Sequence, residues 1–245
     1  MRLDVYLTER GFTSSRTEAQ GFIKSGEVKV NGKPIVKSSY PVSESDEIEV
    51  NRDSKRYVSR GGLKLEWALR CFEVNPAGSL ALDVGASSGG FTDCLLKSGA
   101  ERVAAVDSGS GQLVESLRSD ERVTVIENYN ARYMRPSDLP FQPNLAVMDV
   151  SFISATHIIG AVYDCLSDGG DYILLVKPQF EVGRSGVGKG GIVKDDGLRR
   201  TALDRVIKFA ESCGFKALNK TVSPIVGGDG NVEYLVHFRK EMSES

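Results

Sequence analysis

Short apolar runs alternate with amphipathic segments along most of the chain, and this pattern predicts an α/β fold. The apolar runs have the length and composition of buried strands, whereas the segments between them repeat apolar residues with a helical period. Strands are predicted over 80–85, 102–107, 123–127, 144–150 and 172–177, and helices from about Thr92 and over 112–118, 155–166 and 197–213. Such alternation is typical of a doubly wound parallel sheet with helices on both faces.

The carboxyl-terminal part of the pattern differs from the rest. Two strand-like runs, 217–222 and 232–238, are joined by the loop SPIVGGDG, which contains no helical segment. Because neighbouring parallel strands need a long crossover connection, we expect these two strands to be antiparallel neighbours. The sheet should therefore end in an antiparallel hairpin.

The first 50 residues predict a separate small module. Apolar residues one turn apart indicate a helix that ends at Gly11, and Ser15 with Glu18 fits a capping box for a second helix. A hairpin with an Asn-Gly turn is predicted over 28–35, and a short strand over 48–50. Two helices and a small sheet form a modest core, so such a unit usually depends on a partner domain or a ligand.

Charge is distributed unevenly between these parts. We predict a first domain over 1–52, a polar linker over 53–60 and a second domain over 61–245. The formal net charge is only −2, yet Lys and Arg exceed Asp and Glu by three in residues 1–40 and by four in residues 51–70. A basic amino-terminal part joined to a mildly acidic remainder indicates that a nucleic acid contacts one side of the protein.

Several classes of protein are excluded by composition. No segment approaches the roughly 18 apolar residues of a membrane span, and the start MRLDVYLTER carries charges where a signal peptide needs an apolar run. We therefore expect a cytoplasmic protein without a membrane partner. The four cysteines are scattered, and His157 and His237 have no nearby metal-ligating partner, so reduced thiols and no metal site are predicted.

The segment LALDVGASSGGF, Leu80–Phe91, predicts a cofactor site. It is a buried-looking strand that ends in an acid and turns at once into a loop rich in glycine and serine, where the backbone can approach a ligand closely. The spacing DxGxxxGG differs from the GxGxxG of dinucleotide folds, so NAD and a methyl donor such as S-adenosylmethionine both remain open. The predicted contacts from this segment are Asp83, Gly85, Ser87, Gly89, Gly90 and Phe91.

Polar residues that follow the other strands extend this site, because ligands in open sheets bind beyond the carboxyl ends of the strands. Asp107 is placed to accept hydrogen bonds from ribose hydroxyls, and Asn130 to contact a base. Lys177 ends an apolar run and precedes a proline, so its half-buried ammonium needs a partner, for which Asp149 is within reach. Glu233 interrupts an apolar strand pattern, which indicates that it points into the site.

A second glycine-rich segment partly matches the sequence motif of a phosphate-binding loop. Gly183–Lys189 fits GxxxxGK, but Gly190 follows in place of the Ser or Thr that would bind magnesium. The sequence after it also lacks an amphipathic helix. A loop over an RNA site is therefore the better interpretation than an NTPase.

Residues 1–50 resemble the S4 RNA-binding domain. The resemblance is carried, in order, by RLDVYL, SSRTEAQGFIKSG, VKVNGKPIVKSS and DEIEV. It implies that basic side chains of the second helix and the adjoining hairpin contact structured RNA. The predicted RNA-binding residues are Arg2, Arg16, Lys24, Lys29, Lys33 and, beside the second domain, Arg60.

The second domain resembles the FtsJ-like RNA ribose 2'-O-methyltransferases. Lys64, Asp149, Lys177 and Glu233 match the Lys-Asp-Lys-Glu tetrad of that family in order and context, and DVGASSGGF, MDVSFIS, VKPQFEVGRSGVGKGGIVKD and GNVEYLVH are similar to its TlyA group. The resemblance implies a class I, Rossmann-like methyltransferase domain, S-adenosylmethionine as methyl donor, and cytidines of ribosomal RNA or ribosomal subunits as substrate.

The tetrad is assigned roles from the chemistry of the reaction. A ribose hydroxyl is a poor nucleophile near neutral pH, so Lys177 is predicted to act as base or to orient the hydroxyl. Asp149 is predicted to hold Lys177 and the methyl donor, and Glu233 to position Lys64 or the ribose. The alternatives are a non-catalytic RNA-binding or ribosome-binding factor and a membrane-lysing haemolysin; the latter would need a secretion signal or an inserting segment, which the sequence does not show.

Overall fold

The chain forms two compact units, Met1–Arg56 and Tyr57–Ser245. The computed structural model describes residues 1–13, 15–24, 26–50, 56–183, 186–227 and 230–242, except for the side chains of Glu18 and Lys24. Each unit has its own apolar core.

The first unit contains the elements that the sequence predicts for it. They are α1 (Leu3–Glu9), α2 (Arg16–Lys24), β1 (Val28–Val30), β2 (Lys33–Pro34) and β3 (Ile48–Val50). The three strands form an antiparallel sheet in the order β2-β1-β3. Leu3, Leu7 and Ile23 are fully buried between the helices and this sheet, because they recur on one face of each helix.

The second unit is a seven-stranded sheet covered by helices. Its elements are α3 (Gly61–Phe72), β4 (Leu80–Val84), α4 (Gly90–Lys97), β5 (Arg102–Val106), α5 (Glu115–Arg118), β6 (Val123–Ile126), β7 (Leu145–Met148), α6 (Ile159–Cys165), β8 (Asp171–Val176), α7 (Asp196–Ser212), β9 (Phe215–Val222) and β10 (Tyr234–Lys240). The strand order is β6-β5-β4-β7-β8-β10-β9. The first five strands in that order are parallel, and β10 pairs antiparallel with both β8 and β9, so the predicted terminal hairpin is confirmed.

Three elements differ from their predicted limits. The helix predicted over 112–118 is a single turn, α5, because Leu113 packs beneath Gly89 and Val114 is extended. The helix predicted over 155–166 begins as a separate 3-10 turn before α6. The last strand begins at Tyr234, which places Glu233 just before it. In the first of these elements, the packing of Leu113 against Gly89 overrides the local helical pattern.

The boundary between the units also differs from the predicted linker over 53–60. Residues 53–55 of that linker lie outside the described part of the chain. Tyr57 belongs to the second unit, where its ring is buried against α3. A Cβ atom on Gly62 would lie 2.3 Å from this ring, so glycine is required there. The linker is therefore shorter at its carboxyl end than the polar composition indicates.

Within the described residues, we find no helix that combines the length and the apolar character needed to cross a lipid bilayer.

Candidate active site

The loop between β4 and α4 folds tightly onto the protein. Gly85 has φ 84°, and a Cβ atom there would lie 2.5 Å from the carbonyl oxygen of Asp149. Gly89 has φ 98°, and its Cβ atom would lie 2.3 Å from Leu117. Both positions need glycine because of backbone conformation and close packing. Gly89 does not line either cavity described below, although Ser88 and Gly90 line the second, so its contact with a ligand stays a prediction.

Asp83 is completely buried behind this loop. The hydroxyl of Thr92 donates a hydrogen bond of 2.6 Å to its Oδ2, while its Oδ1 has no hydrogen-bond partner among the described residues. Burial, reinforced by the charges of Asp149 and Asp107, raises the pKa of Asp83 to about 7 despite the opposing hydrogen bonds from Thr92. Asp83 does not line either cavity; its hydrogen bond from Thr92 joins β4 to α4, and its direct contact with the cofactor stays a prediction.

This buried carboxyl predicts a pH-dependent stability. An acid whose pKa is raised by folding stabilises the folded state below its unfolded pKa, and that stability is lost as the pH rises through the folded pKa. The Asp83→Asn variant should lack this loss. Its free energy of unfolding, relative to that of the natural protein, should therefore rise by roughly 2–4 kcal/mol from pH 4 to pH 8. Urea unfolding of both proteins at these two pH values measures the difference, and an equal gap at both would refute the raised pKa.

A first cavity of about 400 Å³ opens beyond the carboxyl ends of β4, β5 and β7. The carboxylate of Asp107 accepts hydrogen bonds from the amides of Ser87 (2.8 Å) and Gly109 (2.7 Å) on its wall. Asn130 also lines it, and its side chain accepts a hydrogen bond from the amide of Arg132. The cavity is lined by both apolar and polar side chains. Its further lining residues include the apolar Val84, Val106 and Ile158 and the polar Gln112 and Tyr129.

A second cavity of about 350 Å³ adjoins the first and contains most of the predicted tetrad. Lys64, Asp149 and Lys177 line it, together with Gly90 and Phe91. The two cavities share Gly85, Ser87, Asp149 and Ser151 as a common wall. A ligand in one cavity can therefore reach a ligand in the other across Asp149.

Two ion pairs organise the second cavity. The Nζ atom of Lys177 lies 2.5 Å from Oδ1 of Asp149, because β7 and β8 are adjacent parallel strands that end side by side. The Nζ atom of Lys64 donates a hydrogen bond of 2.6 Å to Oε2 of Glu233. Lys64 and Glu233 are 7% and 2% exposed, so each neutralises a charge that would otherwise be buried alone. The structure thus brings the four predicted residues together as two neighbouring pairs.

Comparisons with known proteins agree with this arrangement. A family model described as FtsJ-like methyltransferase matches residues 57–240, and an S4 domain model matches residues 1–48. The chain belongs to the FtsJ-like methyltransferase family. Its methyl donor is S-adenosylmethionine, and the class I methyltransferase fold with an amino-terminal S4 domain is confirmed.

Full-length relatives of this FtsJ-like methyltransferase carry two kinds of name. Hemolysin A of Brachyspira hyodysenteriae is 46% identical over 97% of this chain and 99% of its own length. The 16S/23S rRNA (cytidine-2'-O)-methyltransferase TlyA of Mycobacterium tuberculosis is 43% identical over 98% of this chain and 90% of its own length. A solved structure from Streptococcus thermophilus, named as a hemolysin, has 42% identity and a TM-score of 0.79, and covers 99% of this chain and 89% of that one. The resemblance to the TlyA group is thereby confirmed.

The residues of both cavities fit S-adenosylmethionine. The apolar walls around Val84 and Val106 suit an adenine ring, and the Asp107 carboxylate suits ribose hydroxyls. Ser87 and Asp149 lie where the cavities meet, and a carboxylate there suits the positive charge of a sulfonium. These residues could hold the methyl donor with its reactive end toward the second cavity.

Ser151 is a site residue that the sequence reasoning missed. Its Oγ accepts a hydrogen bond of 2.8 Å from Nζ of Lys177, and it lines both cavities. A serine two residues after Asp149 carries no distinctive local pattern, so only the fold reveals it. The motif MDVSFIS, in which it lies, was the one available signal.

We expect the Ser151→Ala variant to lose about tenfold in turnover, because Nζ of Lys177 would keep only Asp149 as a fixed partner. Ser151→Thr retains a hydroxyl and should keep most of the activity. Steady-state kinetics with both variants, together with calorimetric titration of S-adenosylmethionine, test this expectation. Equal rates for the alanine variant and the natural protein would contradict it.

In the first unit, two predicted RNA-binding residues converge on one buried acid. Asp4 is fully buried, and its carboxylate accepts hydrogen bonds from Arg2 (2.9 and 3.0 Å), Arg16 (3.0 Å) and Gln20 (3.0 Å). These cationic partners hold the pKa of Asp4 well below its usual range, with the hydrogen bond from Arg2 as the largest cause. Both arginine side chains remain about half exposed, so they are available to a ligand.

The remaining predicted RNA contacts have varied surroundings. Lys29 forms an exposed ion pair of 3.3 Å with Glu49, and Lys33 is exposed on β2. The side chain of Lys24 lies outside the described residues. Arg60 lines the second cavity at the start of α3. The contacts of these residues with RNA stay a prediction.

Proposed function

We propose that this protein transfers the methyl group of S-adenosylmethionine to the 2'-hydroxyl of a cytidine in ribosomal RNA. The observation that carries the proposal is the pairing of Lys177 with Asp149 in a cavity that shares a wall with the cofactor cavity. An S4 unit on the same chain supports an RNA substrate. The Mycobacterium tuberculosis relative, named for this reaction on 16S and 23S rRNA, supports the specific substrate.

The mechanism depends on alignment of the hydroxyl with the methyl group. When bound, S-adenosylmethionine supplies an electrophilic methyl carbon on a sulfonium. The methyl group would pass to the 2'-oxygen, S-adenosylhomocysteine would leave with the electron pair of the carbon–sulfur bond, and the hydroxyl proton would pass to Lys177 or to water. Asp149 and Ser151 fix the amine of Lys177, so that it can orient the hydroxyl and assist the loss of its proton.

The second ion pair supports the substrate side of the cavity. Glu233 does not line the cavity but fixes Lys64, which does. We assign Lys64 to contact with the ribose or its phosphate and Glu233 to the positioning of Lys64. Most of the rate acceleration then comes from orientation in a site shielded from water, which is worth up to about 7–11 kcal/mol in favourable cases.

An RNA substrate of this kind is available in the cytoplasm, as ribosomal RNA or as a ribosomal subunit. The S4 unit contributes affinity through Arg2 and Arg16, whose guanidinium groups suit RNA phosphates. A protein that bound the ribosome without catalysis would not need the two ion pairs of the second cavity, of which Lys64–Glu233 is buried.

The decisive experiment maps 2'-O-methyl groups on ribosomal RNA from cells with and without this protein. We expect at least one cytidine to lose its methyl group on deletion and to regain it when the natural gene, but not a Lys177→Ala gene, is restored. An unchanged methylation map would reject the proposal. Leakage of liposomes at protein concentrations where no RNA methylation is detectable would favour the haemolysin alternative.

A further inference from the structure

The turn that follows β6 presents an exposed aromatic ring at the edge of the cofactor cavity. Asn130 and Ala131 line the first cavity, and the 3-10 turn Ala131–Tyr133 continues directly from them. Tyr133 is 68% exposed, and among the described aromatic residues of this unit Phe152, at 92%, is more exposed. The guanidinium carbon of Arg132 lies 5.8 Å from the centre of the Tyr133 ring.

Two exposed arginines lie on either side of Tyr133 in the sequence. Arg132 and Arg135 are exposed, and neither forms a salt bridge with a described residue. Nearby arginines differ, since Arg118 pairs with Glu127 at 2.6 Å and Arg122 pairs with Asp120 at 2.7 Å. The cations of this turn are therefore available to an external anion.

The adjacent acid does not cancel this positive charge by a direct ion pair. Asp138 accepts a hydrogen bond of 2.5 Å from the hydroxyl of Tyr129 and another of 2.9 Å from the backbone amide of Arg135. These bonds hold the pKa of Asp138 below its usual range, with the Tyr129 hydroxyl as the largest cause. The acid thus fixes the turn against the cavity wall and leaves the arginine side chains exposed.

We propose that Arg132, Tyr133 and Arg135 form an RNA-binding surface for the strand that flanks the target nucleotide. Tyr133 stacks on an unpaired base, and the two arginines contact the phosphates beside it. The chemistry fits because single-stranded RNA is recognised by aromatic stacking combined with backbone neutralisation. The inference rests on the proposed function, which requires the target ribose to leave its helix and enter the site.

Four variants test the surface with the full-length protein and deproteinised ribosomal RNA. Tyr133→Ala should raise KM for RNA by about tenfold, whereas Tyr133→Phe keeps the ring and should stay within about twofold of the natural protein. The double variant Arg132→Ala/Arg135→Ala should lower the slope of log Kd against log salt by about 1.4, the value for two lost contacts to single-stranded phosphate. A matched control, Lys208→Ala/Lys216→Ala, removes two exposed cations from outside both cavities and should leave that slope unchanged.

The turnover rate at saturating RNA and the affinity for S-adenosylmethionine should be unchanged in all variants, because none of these residues belongs to the tetrad. The inference is overturned if Tyr133→Ala binds RNA as well as the natural protein, or if the control variant loses the same slope. It is also overturned if the losses appear only with intact ribosomal subunits, since the occupant would then be a ribosomal protein. If the natural protein methylates no RNA, the proposed function fails. The Kd measurements for RNA then still test whether this surface binds RNA.

Discussion

Replacing Lys177 with alanine is expected to lower methyl transfer by about 1,000-fold and to leave RNA binding nearly unchanged. The variant removes the amine that Asp149 and Ser151 hold in the second cavity. Without this amine, the ribose 2'-hydroxyl loses its orienting partner, and the Asp149 carboxylate loses its cation. Transfer of tritiated methyl groups to ribosomal RNA under single-turnover conditions measures the chemical step directly.

The control for this experiment is Lys208→Ala, which removes an exposed lysine from α7 that lines neither cavity. It should methylate RNA at the natural rate. Gel-shift titration of RNA and calorimetric titration of S-adenosylmethionine show whether the Lys177 variant still binds both ligands. Turnover within tenfold of the natural protein would remove Lys177 from its assigned role.

Replacing Glu233 with methionine is expected to destabilise the protein by about 3 kcal/mol and to reduce methyl transfer by at least 100-fold. The Lys64 ammonium is 7% exposed and would remain buried without its counter-ion. Loss of one partner of a buried ion pair is costly, because the other charge keeps its desolvation penalty. Urea unfolding and single-turnover kinetics measure the two effects separately.

A double variant separates the structural from the functional part of this effect. Lys64→Met/Glu233→Met removes both buried charges, so it should regain most of the stability that either single variant loses. Its activity should stay low, because Lys64 no longer reaches the ribose. Recovery of activity together with stability would show that the pair only supports the fold.

The strand ends were the most informative part of the sequence for the site. Because parallel strands end at one edge of the sheet, residues as distant in sequence as Asp107 and Lys177 could be placed at that edge from the pattern alone. The structure brings Asp149 and Lys177 within 2.5 Å because β7 and β8 are neighbours. The sequence had named Asp149 as the partner of Lys177, and the structure adds the strand order that explains the short distance.

Other residues of the site have contacts that the sequence did not indicate. Gly89 is predicted to contact the ligand, and the structure adds that a Cβ atom there would clash with Leu117. Asp83 follows the expected spacing yet is fully buried against Thr92. Ser151 went unnoticed because a serine in a loop gives no signal without its partner Lys177. Each of these contacts joins residues of different parts of the chain, so local periodicity does not indicate it.

The sequence by itself determined the fold class, the two-part organisation, the family and the identity of the four candidate catalytic residues. These properties depend on periodicity and on motifs that are local along the chain. The sequence also named Asp149 as the partner of Lys177, but only the tertiary structure decided that Glu233 pairs with Lys64 and that two cavities meet at Asp149. Lys64 and Glu233 are 169 residues apart, and the contact between them arises only when α3 packs beside β10 in the folded sheet.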